Sequence, residues 1–138
     1  MNDDPTINND AILWRRIHKT QLVPDTRGGV RPSSAAFDNH RDGSPMSVAL
    51  AEIFLKIKND PADYLKGHTC VGSVSFSAGL ARKLDQGIVR SPIDDEPAHA
   101  VVIGDKPKSI QRKFAYSGEI RWVVRPPMGI IEEIKNKS

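Results

Sequence analysis

The stretch Arg31-Pro-Ser-Ser-Ala-Ala-Phe-Asp-Asn-His-Arg-Asp-Gly-Ser-Pro-Met-Ser47 gathers side chains suited to chemistry. Two arginines, two aspartates, a histidine and four serines surround the apolar triplet Ala35-Ala36-Phe37. A guanidinium presents a planar fork that matches carboxylate and phosphate. An imidazole changes charge near neutral pH and can act as acid or base. Hydroxyls orient a bound group through donated and accepted hydrogen bonds. Arg31, Ser33, Ser34, His40 and Arg41 are therefore candidate ligand-binding residues for an anionic group. The plainer reading is an Arg–Asp network that ties down a long loop and leaves His40 in solvent.

A second cluster is Pro92-Ile-Asp-Asp-Glu-Pro-Ala-His99, where three carboxylates precede a histidine that opens an apolar run. A carboxylate can fix an imidazole in one tautomer and raise its basicity. His99 joins the candidate set on that ground; the plainer reading is a surface acidic turn with His99 bonded at a strand end. A third grouping is basic. Lys106, Lys108, Arg112 and Lys113 gather near a helix start, with Arg121 and Arg125 beyond and Arg15, Arg16 and Lys19 elsewhere. Such a face can meet phosphates. Aromatic residues are only 6% of the chain, which leaves little for a base-stacking platform. A solvated basic face is the plainer account.

Several signatures are missing. Gly28-Gly29 lacks the lysine and hydroxyl that complete a phosphate loop. His18, His40, His68 and His99 show no metal spacing, and the single Cys70 adds no ligand set, so no metal and no cofactor are expected. No Gly-x-Ser-x-Gly elbow occurs. Cys70 also rules out an internal disulfide, and within its alternating run it reads as a small core filler. The net charge of +3 permits anionic partners without demanding them. The polar, acidic N-terminus does not look like a secretory signal, and no apolar run reaches membrane-spanning length. A cytoplasmic protein with no membrane partner is expected.

Local patterns give the elements that must position these groups. Residues 1–10 read as a disordered or loosely docked tail. Ile12–Ile17 reads as a strand on its branched and aromatic content, and Ser33–Asp38 as another. Ser44-Pro45 looks like an N-cap followed by proline at the first helical position. Met46, Ala49, Leu50, Ile53, Phe54 and Ile57 then recur at helical spacing, which predicts a helix over 46–58 with Glu52 and Lys56 paired on its outer face. Pro61–Lys66 suggests a short helix. Cys70–Phe76 alternates as a strand and passes into a helix begun by Ser77. Extended pieces follow at 87–92, 98–103 and 119–124, with a helix over 109–117 between the last two. Residues 128–138 form a tail or a short helix around Ile130–Ile134. The whole predicts a single α+β domain over 11–127, a mixed β-sheet with about three helices packed on it.

Leu13-Trp-Arg-Arg16, Arg31–Phe37, Met46-Ser-Val48, Gly87-Ile-Val89 and Pro97-Ala-His-Ala-Val-Val102 together resemble small bacterial proteins to which no activity is assigned. The resemblance covers residues 12–126. A narrower likeness is to ADP-ribosyltransferase-like proteins of the Arg-Glu-Ser toxin class. These begin with a strand ending in arginine and bind a nicotinamide dinucleotide in a split sheet. Arg15 or Arg16 matches that first element, whereas Ser47 and Glu52 do not align with the others. The helix expected at 46–58 also leaves no strand to carry a serine there. The leading expectation is an accessory domain that binds a protein partner or an anionic small molecule. The alternatives are an enzyme, either ADP-ribosyltransferase-like or a hydrolase with His40 or His99 as base, and a nucleic-acid-binding protein.

Overall fold

A computed structural model describes residues 2–137. Met1 and Ser138, the outermost residues of the two expected terminal segments, lie outside the described residues. The strands are β1 (Ile12–His18), β2 (Leu22–Pro24), β3 (Val30–Pro32), β4 (Met46–Leu50), β5 (Cys70–Ser77), β6 (Gly87–Arg90), β7 (His99–Ile103) and β8 (Arg121–Val124). The helices are α1 (Ala51–Lys58), α2 (Ala78–Lys83), α3 (Lys108–Ala115) and α4 (Met128–Asn136). Short 3-10 turns occupy Lys19–Gln21, Ser34–Phe37 and Pro61–Leu65.

Six strands form one sheet in the order β6-β7-β4-β1-β5-β8, and β2 and β3 form a separate hairpin. The α+β class holds. Every pairing between these strands is antiparallel, where a mixed sheet was expected. No β-helix-β unit therefore joins neighbouring parallel strands, and each sheet face sorts by simple alternation. One face presents Leu13, Ile17, Met46, Val48, Val74, Phe76, Ala100 and Val102 to the main core. Phe37, Phe76 and Phe114 pack at its centre, with Phe37 and Phe114 stacked at 5.4 Å. The opposite face carries a smaller cluster of Trp14, Ala49, Phe54 and Tyr64.

Three local expectations change. The helix predicted over 46–58 is a strand followed by a shorter helix. Met46, Val48 and Leu50 also alternate, and a position between β7 and β1 buries them at 0%, 1% and 6% exposure. Tertiary burial in a central strand outweighs helical spacing here. Ser44 is not a helix cap; its amide and hydroxyl both donate to Asp42 Oδ1, at 2.9 and 2.6 Å. The helix that remains keeps the Glu52–Lys56 pair at 3.5 Å. The strand expected over 33–38 is a 3-10 turn after β3, which drives Ala36 and Phe37 into the core.

The N-terminal segment is docked. Ile7 is 2% exposed. Asp3 accepts from the Ile88 amide at 2.8 Å, and the Asp4 amide donates to the Ile88 carbonyl at 2.8 Å. Arg82 clamps the segment through Asp3 and Asn9. Since β6 is an edge strand, this segment covers backbone groups that would otherwise be open to pairing. No helix among the described residues is long and apolar enough to cross a membrane.

Candidate functional site

The site arises where two neighbouring strands part. β1 runs beside β5 along its full length but pairs with β4 only at Leu13↔Leu50 and Trp14↔Ala49. Past Trp14 the ladder stops, and the side chain of Arg15 takes its place. Arg15 Nη1 donates to the Ser47 carbonyl at 2.8 Å and Nε donates to the Ala36 carbonyl at 3.0 Å. Burial pushes the Arg15 pKa down to about 10, so the guanidinium stays charged at neutral pH. It satisfies the Ser47 carbonyl of β4, which the split leaves without a partner on β1, and the Ala36 carbonyl of the 34–37 turn.

A cavity of about 660 Å³ opens at this split, lined by Arg15, Arg16, His40, Arg41, Ser47, His68, Glu96 and His99 among others. Arg16 follows Arg15 on the strand and so projects to the other face. Its Nε donates to the Tyr64 carbonyl at 2.7 Å, its guanidinium lies 4.0 Å over the Tyr64 ring, and Nη2 pairs with Glu96. His68 Nε2 stands 3.6 Å from the same Glu96 oxygen. Tyr64 is buried and donates to the Trp14 carbonyl at 3.0 Å, and that burial pushes its pKa up to about 12. The tyrosine is thus a neutral wall and not a titrating group.

Ser47 lies between two histidines. His40 Nε2 is 3.1 Å from Ser47 Oγ, and His99 Nε2 is 3.2 Å from the same oxygen. The His99 contact follows from register. Ser47 pairs with Val101 and Ala49 with His99, so Ser47 and His99 are diagonal neighbours on one face, within reach of a long side chain. His40 arrives from the loop after the 34–37 turn. That loop is held by Asn39, whose Nδ2 donates to the Gly104 carbonyl at 3.2 Å and whose Oδ1 accepts from the Met46 amide at 3.2 Å. Lys106 Nζ donates to Asn39 Oδ1 at 2.6 Å, and to the carbonyls of Val102 and Gly104 at 2.8 and 3.0 Å.

The sequence-predicted residues divide. His40, Arg41 and His99 share this cavity. Arg31, Ser33 and Ser34 line a separate small depression with Arg112 and Tyr116, where the Arg31 guanidinium sits 4.6 Å over the Tyr116 ring. Ser47, Arg16, His68 and Glu96 also line the cavity and stand outside the sequence-predicted ligand set, although Arg16 belongs to the basic grouping and Glu96 to the acidic turn before His99. The helical spacing over 46–58 hides Ser47, and only the alternation of Met46, Val48 and Leu50 signals that it stands on a strand. The basic grouping also thins out, because Lys106 is 6% exposed and Arg15 is turned to backbone carbonyls. Cys70 is half-buried and burial pushes its thiol above the ordinary range, in keeping with a filler. Among the described residues, no group of three His, Cys, Asp or Glu side chains is placed to hold a metal ion. No family model, curated protein or solved structure matches this chain.

Proposed function

We propose that the chain binds a small anionic ligand, bearing a phosphate or carboxylate, in the cavity where β1 and β4 part. The observation that carries this reading is the convergence of Arg16, His40, Arg41, His68 and His99 from separated stretches of chain around one opening. Guanidinium donors make stronger hydrogen bonds to an anion than neutral donors do, and Arg16 and Arg41 both line the opening. Arg16 is oriented by Tyr64 and Glu96, so its position is set before a ligand arrives. Equilibrium dialysis against inorganic phosphate, a nucleoside monophosphate and a dicarboxylate tests the reading. Binding of at least one, weakened roughly tenfold by Arg41→Ala, supports it, since one charge-assisted bond is worth about that much. A folded protein that retains none of the three overturns it.

A second reading, an ADP-ribosyltransferase-like enzyme on a nicotinamide dinucleotide, is favoured by one observation. Ser47 stands on a strand, across a split from the strand that carries Arg15 and Arg16. The helix expected over 46–58 is one of two objections to that resemblance, and this strand removes it; the other, that Ser47 and Glu52 do not align, stands. Nicotinamide released from the dinucleotide by purified protein supports this reading, and no release with either water or added protein acceptors removes it.

A further inference from the structure

We infer that Ser47 is a nucleophile activated by His99, and that the chain hydrolyses esters that carry a negative charge. The inference rests on the anionic-pocket reading for its substrate class only; the nucleophile is argued from the hydrogen-bond chain itself.

That chain fixes where the protons are. The Ser91 carbonyl can only accept, and His99 Nδ1 lies 2.7 Å from it, so Nδ1 carries a proton. In the neutral imidazole Nε2 is then bare and accepts the Ser47 hydroxyl proton across 3.2 Å. With its proton so directed, Ser47 Oγ is left to accept from His40 Nε2–H at 3.1 Å. The order is His40 to Ser47 to His99 to a backbone carbonyl. It is a nucleophile, a base, and a group that holds the base in one tautomer. The holding group is rigid, because the Ser91 amide donates in turn to the His99 carbonyl at 3.0 Å where β6 and β7 meet. Ser47 lines the cavity, so a reacting carbonyl has access to Oγ.

The step balances with water alone as co-reactant. Ser47 Oγ attacks the ester carbonyl carbon, an Oγ–C bond forms, and the hydroxyl proton passes to His99 Nε2. The C–O bond to the leaving alcohol breaks, and the alcohol takes that proton. Water then gives a proton to His99 and its oxygen to the acyl carbon, the Oγ–C bond breaks, and the proton returns to Ser47. His40 Nε2–H is a donor beside the oxygen where charge changes during both halves.

An uncharged alkyl fluorophosphonate tests the nucleophile without using the anion site. Its phosphorus bonds to an activated serine oxygen as fluoride leaves. Peptide mass spectrometry of the folded wild type is expected to find the adduct on Ser47, with a labelling rate about a hundredfold lower in His99→Gln. A folded wild type with unmodified Ser47, or an equal rate in His99→Gln, overturns the inference. If His99→Gln does not fold, the wild-type pH profile decides. A labelling rate that falls on acidification is expected, and a flat profile overturns the inference. Labelling without anion binding in dialysis removes the pocket reading alone; anion binding without labelling removes the nucleophile alone.

Discussion

Lys106 lies 6% exposed beneath the loop that presents His40, and no carboxylate is among its hydrogen-bond partners. Burial, followed by the nearby Arg15 charge, pushes its pKa from 10.5 down to about 8. The folded state thus binds this proton less tightly than the unfolded state. Below about pH 8 both states are charged and the fold carries the whole cost, about 3 kcal/mol for that difference in pKa. As pH rises from about 8 toward 10.5 the folded amine is already neutral while the unfolded one still holds its proton, so unfolding must take up a proton and stability increases. Between about pH 7.5 and about pH 9.5 linkage gives a gain of about 2 kcal/mol from this residue. Other groups titrate in the same window, and Lys106→Met removes only this one. Urea unfolding of both proteins at both pH values is the assay, read as the difference between their two pH-dependent changes. The wild type is expected to gain about 2 kcal/mol more than the variant. Absolute stability is a poorer readout. The variant loses a buried charge but leaves the Val102 and Gly104 carbonyls short of a donor, and these effects oppose each other. Parallel pH curves for the two proteins would mean that the lysine is as well solvated folded as unfolded, and would exclude a buried charge at this position.

Two further perturbations test the frame around the site. Phe37→Ala removes the ring stacked on Phe114 and set edge-on to Phe76, and should cost about 3–5 kcal/mol in chemical denaturation, with anion affinity falling as the 34–37 turn loosens. Gly72→Ala places a Cβ 2.7 Å from the Val124 carbonyl, so β8 must shift away from β5. That should lower stability by about 1–3 kcal/mol while leaving Ser47 labelling intact, since β8 is at the far edge of the sheet from β7.

Much of the fold was legible in local pattern. The change of period after Phe76 marked the passage from β5 into α2, and Ser77 caps that helix by accepting from the Leu80 amide at 3.1 Å. The helix over 109–117 and the final helix both appear, at Lys108–Ala115 and Met128–Asn136. The misreading at 46–58 has a definite cause. Met46-Ser-Val-Ala-Leu50 fits a period of two as well as one of 3.6, and Ser44-Pro45 imitates a helix start. Nothing local separates the two readings; what decides is that this segment has a strand partner on both sides. The N-terminal ten residues look like a solvated tail for a similar reason, since Asp3 and Asp4 find their partners at Ile88, Arg82 and Arg90.

Local sequence sets the period of most elements and the class of the fold, and it singles out two of the four histidines that line the cavity. Period, caps and turn residues act over a few positions, so they are written locally. It also showed that Arg31, Ser33 and Ser34 were polar groups near His40, but nearness along the chain misled. The 3-10 turn at 34–37 lies between the two groups, so that His40 and Arg41 line the cavity while Arg31, Ser33 and Ser34 sit in the depression beside α3. That Ser47 meets both His40 and His99 is visible only once the strands are paired. That meeting depends on the β4–β7 register, on β1 and β4 parting after Trp14, and on Lys106 holding Asn39. Each is a contact between residues far apart in the chain, fixed by what the sheet buries and not by any local preference.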